Sequence, residues 1–466
     1  MRSRGYLYCG LTTTLNIALY ALTLGNYLWL EGRVRRGWYR NWLRRFRFRP
    51  GRFAQPTTEE QIVDLVRTSR GVRVVGAGHS FNAGVVTDDT LISLDRYRGV
   101  IWKEPQTKRV AFRAGTRVRD VSKLLLREGL ALENLPSHDA QSIAGILSTD
   151  VHGTGRDWGF VSQAVVSLKL VDGKGNIHVC QPSDDLFKAA VGGIGATGII
   201  TEVVIQAVDR FNVEQKVELS NLAFVRDNLD ALLDKNAHLS LYLFPFTDKC
   251  QINTWNRSYA KRSRLGPLRE FISISKDALL TAWAGNLLAY SGLLPRASSR
   301  AHGWQRGTDL VMESYKAFNR SIYHLHQELE FAVPFEHTFD VCDRFIKLYE
   351  RMYHEERLPY TLFEIRFTPA GHDRTLIGPG RARRSTWVDL LTNDSRGFER
   401  YFAAAELLMR EVDARPHPGK FNESFGHKDL LRLHQEHFLK FLALAARHDS
   451  GRKFANAFTR RMFWDG

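Results

Sequence analysis

Hydrophobic and polar residues change their spacing several times along the 466-residue chain, and each change predicts an element. Ile62, Val63 and Val66 recur at helical spacing behind Thr57 and Glu60, which form a capping pair, and predict a helix running to Val66. Val72, Val74 and Val75 then make a β-branched run that stops at two alternate glycines, Gly76 and Gly78. That is the pattern of a buried strand ending in a tight loop. Strands are predicted at 90–94, 109–114, 165–171, 177–180 and 199–207, with a helix at 118–128 closed by Gly129. Beyond Arg210 the character changes to strands at 213–218 and 239–244 with helices between them. At 362–368 the alternation is strict: Glu364, Arg366 and Thr368 share one face, and Phe363, Ile365 and Phe367 the other. The next strand, 386–392, carries Asp389. Such a mixture predicts an α+β protein.

From residue 5 to residue 30 there is no charge. A helix of that length would span about 39 Å, enough to cross a hydrocarbon core with some tilt. Thr12, Thr13, Thr14, Asn16 and Asn26 dilute the stretch, so a surface-lying or buried helix and a cleaved signal peptide stand as alternatives. The arginine cluster from Arg33 to Arg49, interleaved with Trp38, Tyr39 and Trp42, would hold the following end on the cytoplasmic side. The expectation is a single-pass membrane anchor with the body of the protein in the cytoplasm. A second apolar stretch, 279–294, is flanked by Arg262, Arg264, Arg269, Lys276, Arg296 and Arg300. It reads equally as a membrane-surface contact or as a core helix with solvated ends.

The net charge of +16 is uneven, since residues 1–50 hold ten arginines against one acid, Glu31, and so supply +9. A basic balance raises nucleic acid as a partner. No zinc spacing, RNP-like aromatic pattern or helix-turn-helix signal accompanies it, so neither nucleic acid nor a metal is expected. Cys9, Cys180, Cys250 and Cys342 lie far apart and fit neither a CxxC pair nor a disulfide framework.

The candidate chemistry begins at 76–82, G-A-G-H-S-F-N. Alternate glycines let successive N–H groups turn toward one point, which favours an anion. Phe81 stands where the third glycine of a dinucleotide fingerprint belongs, so the loop is not of the Rossmann type. His79 after the glycines is either a polar turn residue or a ring nitrogen free to react beside the bound anion. Small residues recur over 142–155, S-I-A-G-I-L-S-T-D-V-H-G-T-G, and again over 192–198, where backbone would approach a flat ligand closely. Glu364 and Arg366 form either a same-face salt bridge or a pocket wall. Two prolines and a glycine in 415–420, R-P-H-P-G-K, fix a loop that holds Lys420 in place.

Together these stretches resemble the vanillyl-alcohol oxidase family of PCMH-type FAD-linked oxidases, in particular its sugar-1,4-lactone oxidases and alditol oxidases. The resemblance covers roughly 50–210 and 360–460. It implies a two-part FAD-binding domain at 50–210 and a substrate domain at 211–410 with an antiparallel sheet and flanking helices. A segment at 411–466 would pack back on the flavin domain, and 1–49 would be the anchor. FAD would be linked covalently through His79, in a loop formed by Val75, Gly76, Ala77, Gly78 and Ser80. Ser142 would lie near the reactive end of the flavin, with Gly145 and Thr149 along it, Gly153, Thr154 and Gly155 near the phosphates and Ile200 on the adenine side. His152 would be structural. Glu364 and Arg366 would orient substrate hydroxyls, Lys420 would face the flavin, and Asp389 is the nearest candidate where alditol oxidases carry a histidine. The implied activity is oxidation of a hydroxyl of a sugar lactone, alditol or related polyol, with oxygen or another electron acceptor. Alternatives are a membrane-tethered flavoprotein acting on a lipid-linked sugar or sterol-like substrate, and a scaffold without turnover.

Overall fold

The run at 72–75 forms a strand, Val72–Val75, in a three-stranded parallel sheet with Arg52–Ala54 and Thr90–Ser93. The computed structural model describes residues 3–22, 31–303, 308–319, 325–392 and 397–465. The helix that joins the first two of these strands in sequence is Glu59–Thr68, and its cap is Thr58, whose hydroxyl accepts from the Gln61 N–H; Thr57, the expected cap, lies one residue too early. Ile62, Val63, Leu65 and Val66 are its buried stripe.

A five-stranded antiparallel sheet follows, ordered Ile177–Cys180, Val165–Val171, Ile199–Gln206, Arg109–Arg113, Val100–Glu104. Its apolar side merges with that of the first sheet into one core containing Val72, Phe112, Leu168 and Val203. The C-terminal helices His427–His434 and Glu436–His448 pack on this half, where Leu430, Phe438 and Phe441 meet Ala189 and Ala196.

The second half is built on an eight-stranded antiparallel sheet. Its order is Thr308–Glu313, Asn212–Asn221, Lys249–Ser258, His238–Leu243, Thr361–Thr368, Ser385–Thr392, Gln327–Pro334, Arg415–Pro416. Helices Leu222–Lys235, Thr338–Glu356 and Glu399–Arg410 cover one face, burying Phe363, Ile365, Leu329, Phe331 and Leu390. Period-two alternation then forces Glu328, Glu330, Glu364, Arg366 and Asp389 onto the opposite face, toward the N-terminal half.

The expected anchor is corrected by the structure. Ser3–Leu22 is a helix of 20 residues, and no helix among the described residues is long and apolar enough to cross a membrane. Residues 23–30 of the expected span lie outside the described residues. The helix lies along the 266–291 helical segment instead: Tyr20 stacks on Phe271 with centroids 5.7 Å apart, and the Trp283 indole donates to the Thr14 hydroxyl at 3.2 Å. Interrupting threonines make this possible, since Thr12, Thr13 and Thr14 bond to their own helix carbonyls. Nor is the stretch after it a loose juxtamembrane tether. Arg33–Arg35, Trp38–Arg40 and Arg47–Phe48 form a small antiparallel sheet.

Candidate active site

Between the glycine loops of the first half and the charged face of the eight-stranded sheet runs a cleft of about 1540 Å3, its solvent-filled mouth included. Its lining runs from Val72 through the His79 loop and Ser142 to Arg366 and Lys420, which gives an extended cofactor and a substrate beside it separate walls to meet. Val75, Gly76, Ala77, Gly78, His79 and Ser80 line it, as do Ser142, Gly145, Thr149 and Ile200. Gly76 has to be glycine, because a Cβ there would stand 2.0 Å from the Ser142 hydroxyl. Ser142 caps the short helix Ile143–Ser148 by accepting from the Gly145 N–H at 3.2 Å.

Three of the expected cofactor positions fall elsewhere. Gly153, Thr154 and Gly155 are absent from the cleft wall. Gly153 packs on the Asn134 amide and Gly155 on the Trp158 carbonyl, both within the first half, while Thr154 meets His238 of the second, so their small size serves protein packing.

On the sheet side, register places Glu330, Asp389 and Glu364 directly abreast on three neighbouring strands. The Lys420 ammonium reaches over them, bonding to Glu328 and lying 3.5 Å from Glu330 and 3.4 Å from Asp389. Arg366 pairs with Glu364 at 2.6 Å and bonds to the Ser137 hydroxyl at 3.4 Å. Lys420 is held from behind by its own loop. The Asn82 amide donates to the Pro418 and Lys420 carbonyls at 2.7 and 2.9 Å, and the Phe81 N–H donates to the Gly419 carbonyl at 2.8 Å. The two motifs most distant in sequence, 76–82 and 415–420, are therefore bonded directly to one another.

Burial alone would raise the Glu328 and Glu330 carboxyls; Lys420 outweighs it and holds both below the usual carboxylate range, with His326 helping at Glu328 and His152 at Glu330. Asp389 goes the other way. Burial, with Glu328 and Glu330 adding to it, raises it well above the ordinary value despite Lys420. It also lies behind the cleft wall, fully buried. Glu364 is likewise behind the wall, with Arg366 in front of it. Lys420 itself, which burial would lower, is raised by Asp389, Glu328 and Glu330 together and stays charged.

The opposite wall is aromatic. His79 lies between Trp42, stacked at 5.0 Å, and His138, at 4.6 Å between centroids. Burial, then His138 and Arg117, lower His79 well below the ordinary value, and burial lowers His138 to about 3, so both imidazoles are neutral at pH 7. His79 Nε2 is buried and has no hydrogen-bond partner among the described residues. His152, in contrast, is engaged at both ring nitrogens, by Glu330 at 2.9 Å and the Gly153 carbonyl at 2.8 Å, and stacks on Trp387, which fits a structural role.

Sequence reasoning missed Glu328, Glu330, His326, His138, His417 and Trp42, all of which line the cleft. The first two had a signal. Gln327–Pro334 alternates charged and apolar residues as 362–368 does, and it was not read as a strand. His138 and His326 carry none, and His417, inside the 415–420 motif, reads there only as part of the loop that holds Lys420.

Comparison with known proteins follows the same geometry. A family model described as D-arabinono-1,4-lactone oxidase matches residues 203–462, more than half of the chain. The chain belongs to that family. A model described as FAD binding domain matches residues 50–181, so the glycine loops belong to a flavin domain and the protein is an FAD-linked oxidoreductase. L-gulono-1,4-lactone dehydrogenase of Mycobacterium tuberculosis is 28% identical over 419 residues, covering 89% of this chain and 96% of the relative. L-gulonolactone oxidase of Bos taurus is 26% identical over 449 residues, covering 91% and 98%. The crystal structure of cholesterol oxidase from Brevibacterium sterolicum superposes with a TM-score of 0.71 at 16% identity, covering 93% of this chain and 97% of that one, a likeness of fold. The residues present suit FAD: a long glycine-lined cleft, with a neutral histidine whose buried Nε2 has no protein partner at its wall.

Proposed function

We propose that this lactone oxidase family member oxidises a hydroxyl-bearing carbon of a sugar lactone, with FAD held covalently through His79. The carrying observation is the pairing, across one cleft, of that neutral histidine with a wall presenting Arg366, Lys420 and the ionised Glu328. FAD supplies the hydride chemistry. Arg366, fixed by Glu364, binds substrate oxygen atoms and sets which carbon is presented. The His326–Glu328 pair, bonded at 2.9 Å and lining the cleft where Asp389 does not, takes up the hydroxyl proton. Lys420 stabilises negative charge developing in the cleft.

The test is anaerobic bleaching of the yellow protein by L-gulono-1,4-lactone and D-arabinono-1,4-lactone, set against xylitol and cholesterol. Bleaching by a lactone is expected; bleaching by cholesterol alone would overturn the reading, and none by any of the four would favour a scaffold. Reoxidation by oxygen against a dye then identifies the acceptor. An acid-precipitated pellet that has lost all its flavin would sink the covalent link.

A lipid surface is a proposed partner on separate grounds. Leu11, Leu15 and Leu22 of the N-terminal helix and Leu268, Ile272 and Leu287 of the segment beneath it are all about half exposed or more, beside Arg264 and Arg269. Co-flotation with anionic vesicles is the check, and a protein that stays at the bottom of the gradient rules the contact out.

A further inference from the structure

The 31–48 segment lies outside both matched family models, yet it reaches the middle of the cleft. Its small sheet is bonded to the His79 loop along the backbone. The Gly32 N–H donates to the Ala77 carbonyl at 2.7 Å, and the Trp42 N–H to the Gly78 carbonyl at 3.3 Å. The Asn41 amide donates to the Ser80 carbonyl at 3.4 Å. Gly78, at φ +71°, allows this approach, since a Cβ there would meet the Tyr39 hydroxyl at 2.4 Å.

What the segment delivers is Trp42. Its indole is 6% exposed and stacks on the His79 imidazole with an interplanar angle of 21°, while Phe81 and His326 hold it edge-on. His138 packs on the imidazole at a tilt of 55°. The imidazole plane is thus fixed by neighbouring rings, and no hydrogen bond to its Nε2 ties that nitrogen up. Trp42 Nε1 is also buried with no partner among the described residues, so the indole is held in place by packing.

We propose that Trp42 is a positioning residue for flavin attachment, fixing the His79 imidazole so that a ring nitrogen meets the flavin methyl carbon. This rests on the covalent reading above. In attachment an imidazole nitrogen loses its proton and forms a bond to the 8α carbon, which also loses a proton. The flavin ring takes up the two electrons and two protons and returns them to the acceptor used in turnover. Trp42 takes no part in the electron transfer; it restricts the rotation of the ring that must attack.

The experiment compares full-length parent, His79→Ala, Trp42→Phe and Trp42→Leu, each incubated with FAD, by the rate and final fraction of flavin retained in acid precipitates and fluorescent in denaturing gels. Circular dichroism and total bound FAD report folding and non-covalent binding. The parent should be covalently loaded and His79→Ala should not, which isolates the covalent reading from the role of Trp42. Trp42→Leu should bind FAD while attaching it at least tenfold more slowly. Trp42→Phe, which keeps a stacking ring, should lie within about threefold of the parent. Attachment at the parental rate in Trp42→Leu would overturn the proposal, as would Trp42→Phe failing as badly as Trp42→Leu while folded and binding FAD. A parent without covalent flavin would remove both claims together.

Discussion

Replacing Lys420 by methionine tests the charge balance of the site most directly. The side chain keeps its apolar stem and loses the one ammonium shared by Glu328, Glu330 and Asp389. The two glutamates have side chains 8% and 1% exposed, so they cannot turn to solvent for compensation. Breaking a buried ion pair from one side costs about 3–5 kcal/mol, and at roughly 2 °C per kcal/mol for a large domain that is a fall of about 6–10 °C in Tm. The pH dependence has a definite sign. In the parent, Glu328 and Glu330 titrate below their unfolded values, so the stability they contribute is present above the ordinary carboxyl range and lost as pH falls through the folded values. In Lys420→Met, burial loses its main opponent, with only His326 at Glu328 and His152 at Glu330 still acting against it, so both carboxyls shift upward and stability is lost as pH rises. The Tm deficit should therefore widen between pH 5 and pH 8, read by calorimetry on the flavin-loaded protein. Flavin reduction by substrate should slow about 100-fold or more, the scale of a lost charged contact in the transition state. An equal deficit at both pH values would refute the assignment of ionised glutamates and protonated lysine.

Other changes separate the remaining roles. Asp389→Asn exchanges a carboxyl behind the cleft wall for an amide of the same shape, so flavin reduction should change little; a 100-fold slower reduction would make Asp389 the base after all. Gly76→Ala places a methyl 2.0 Å from the Ser142 hydroxyl and should lower the fraction of purified protein that carries FAD, read from the ratio of flavin to protein absorbance, with partial recovery in Gly76→Ala/Ser142→Gly. Three carboxylates, Glu328, Glu330 and Glu364, face two cations, Lys420 and Arg366, and this excess negative charge favours a neutral lactone over its hydrolysed acid. One further anion about 5 Å away costs about 3 kcal/mol at an effective dielectric constant of 20. Competition assays should therefore show the open-chain acid binding at least 100-fold more weakly than the lactone.

The sequence carried those features that repeat a local rule. Glycines at alternate positions after a β-branched run, and strict alternation at 362–368, placed the His79 loop and the Glu364–Arg366 face correctly because neither depends on distant contacts. Residues supplied by tertiary placement escaped. His138 and His326 are single residues in irregular segments, and nothing in their neighbours says that folding brings them to one wall. Gly153, Thr154 and Gly155 lie off the cleft wall for the converse reason: a close-approach pattern states that something lies near the backbone, and their neighbours are protein. The upward shift of Asp389 escaped as well, since it comes from burial and from Glu328 and Glu330, which only pairing between strands brings near.

One residue shows how the N-terminal segment is tied to the rest. By composition Glu31 is a lone acid in the basic stretch that flanks the expected anchor. In the fold Glu31 is 7% exposed and holds Arg117 at 3.2 and 2.6 Å, Arg119 at 3.0 Å and Arg98 at 3.8 Å. Arg117 is fully buried and its other partner, Asp95, also answers Arg98, so two carboxylates serve three guanidinium groups of the flavin domain. Removing the 31–48 segment would leave a buried arginine short of its counter-charge, the costly half of a broken ion pair. Adding the backbone bonds to Ala77 and Gly78, the segment is an integral layer of the flavin domain. Changes in 31–48 therefore act through these contacts on the shape of the His79 loop.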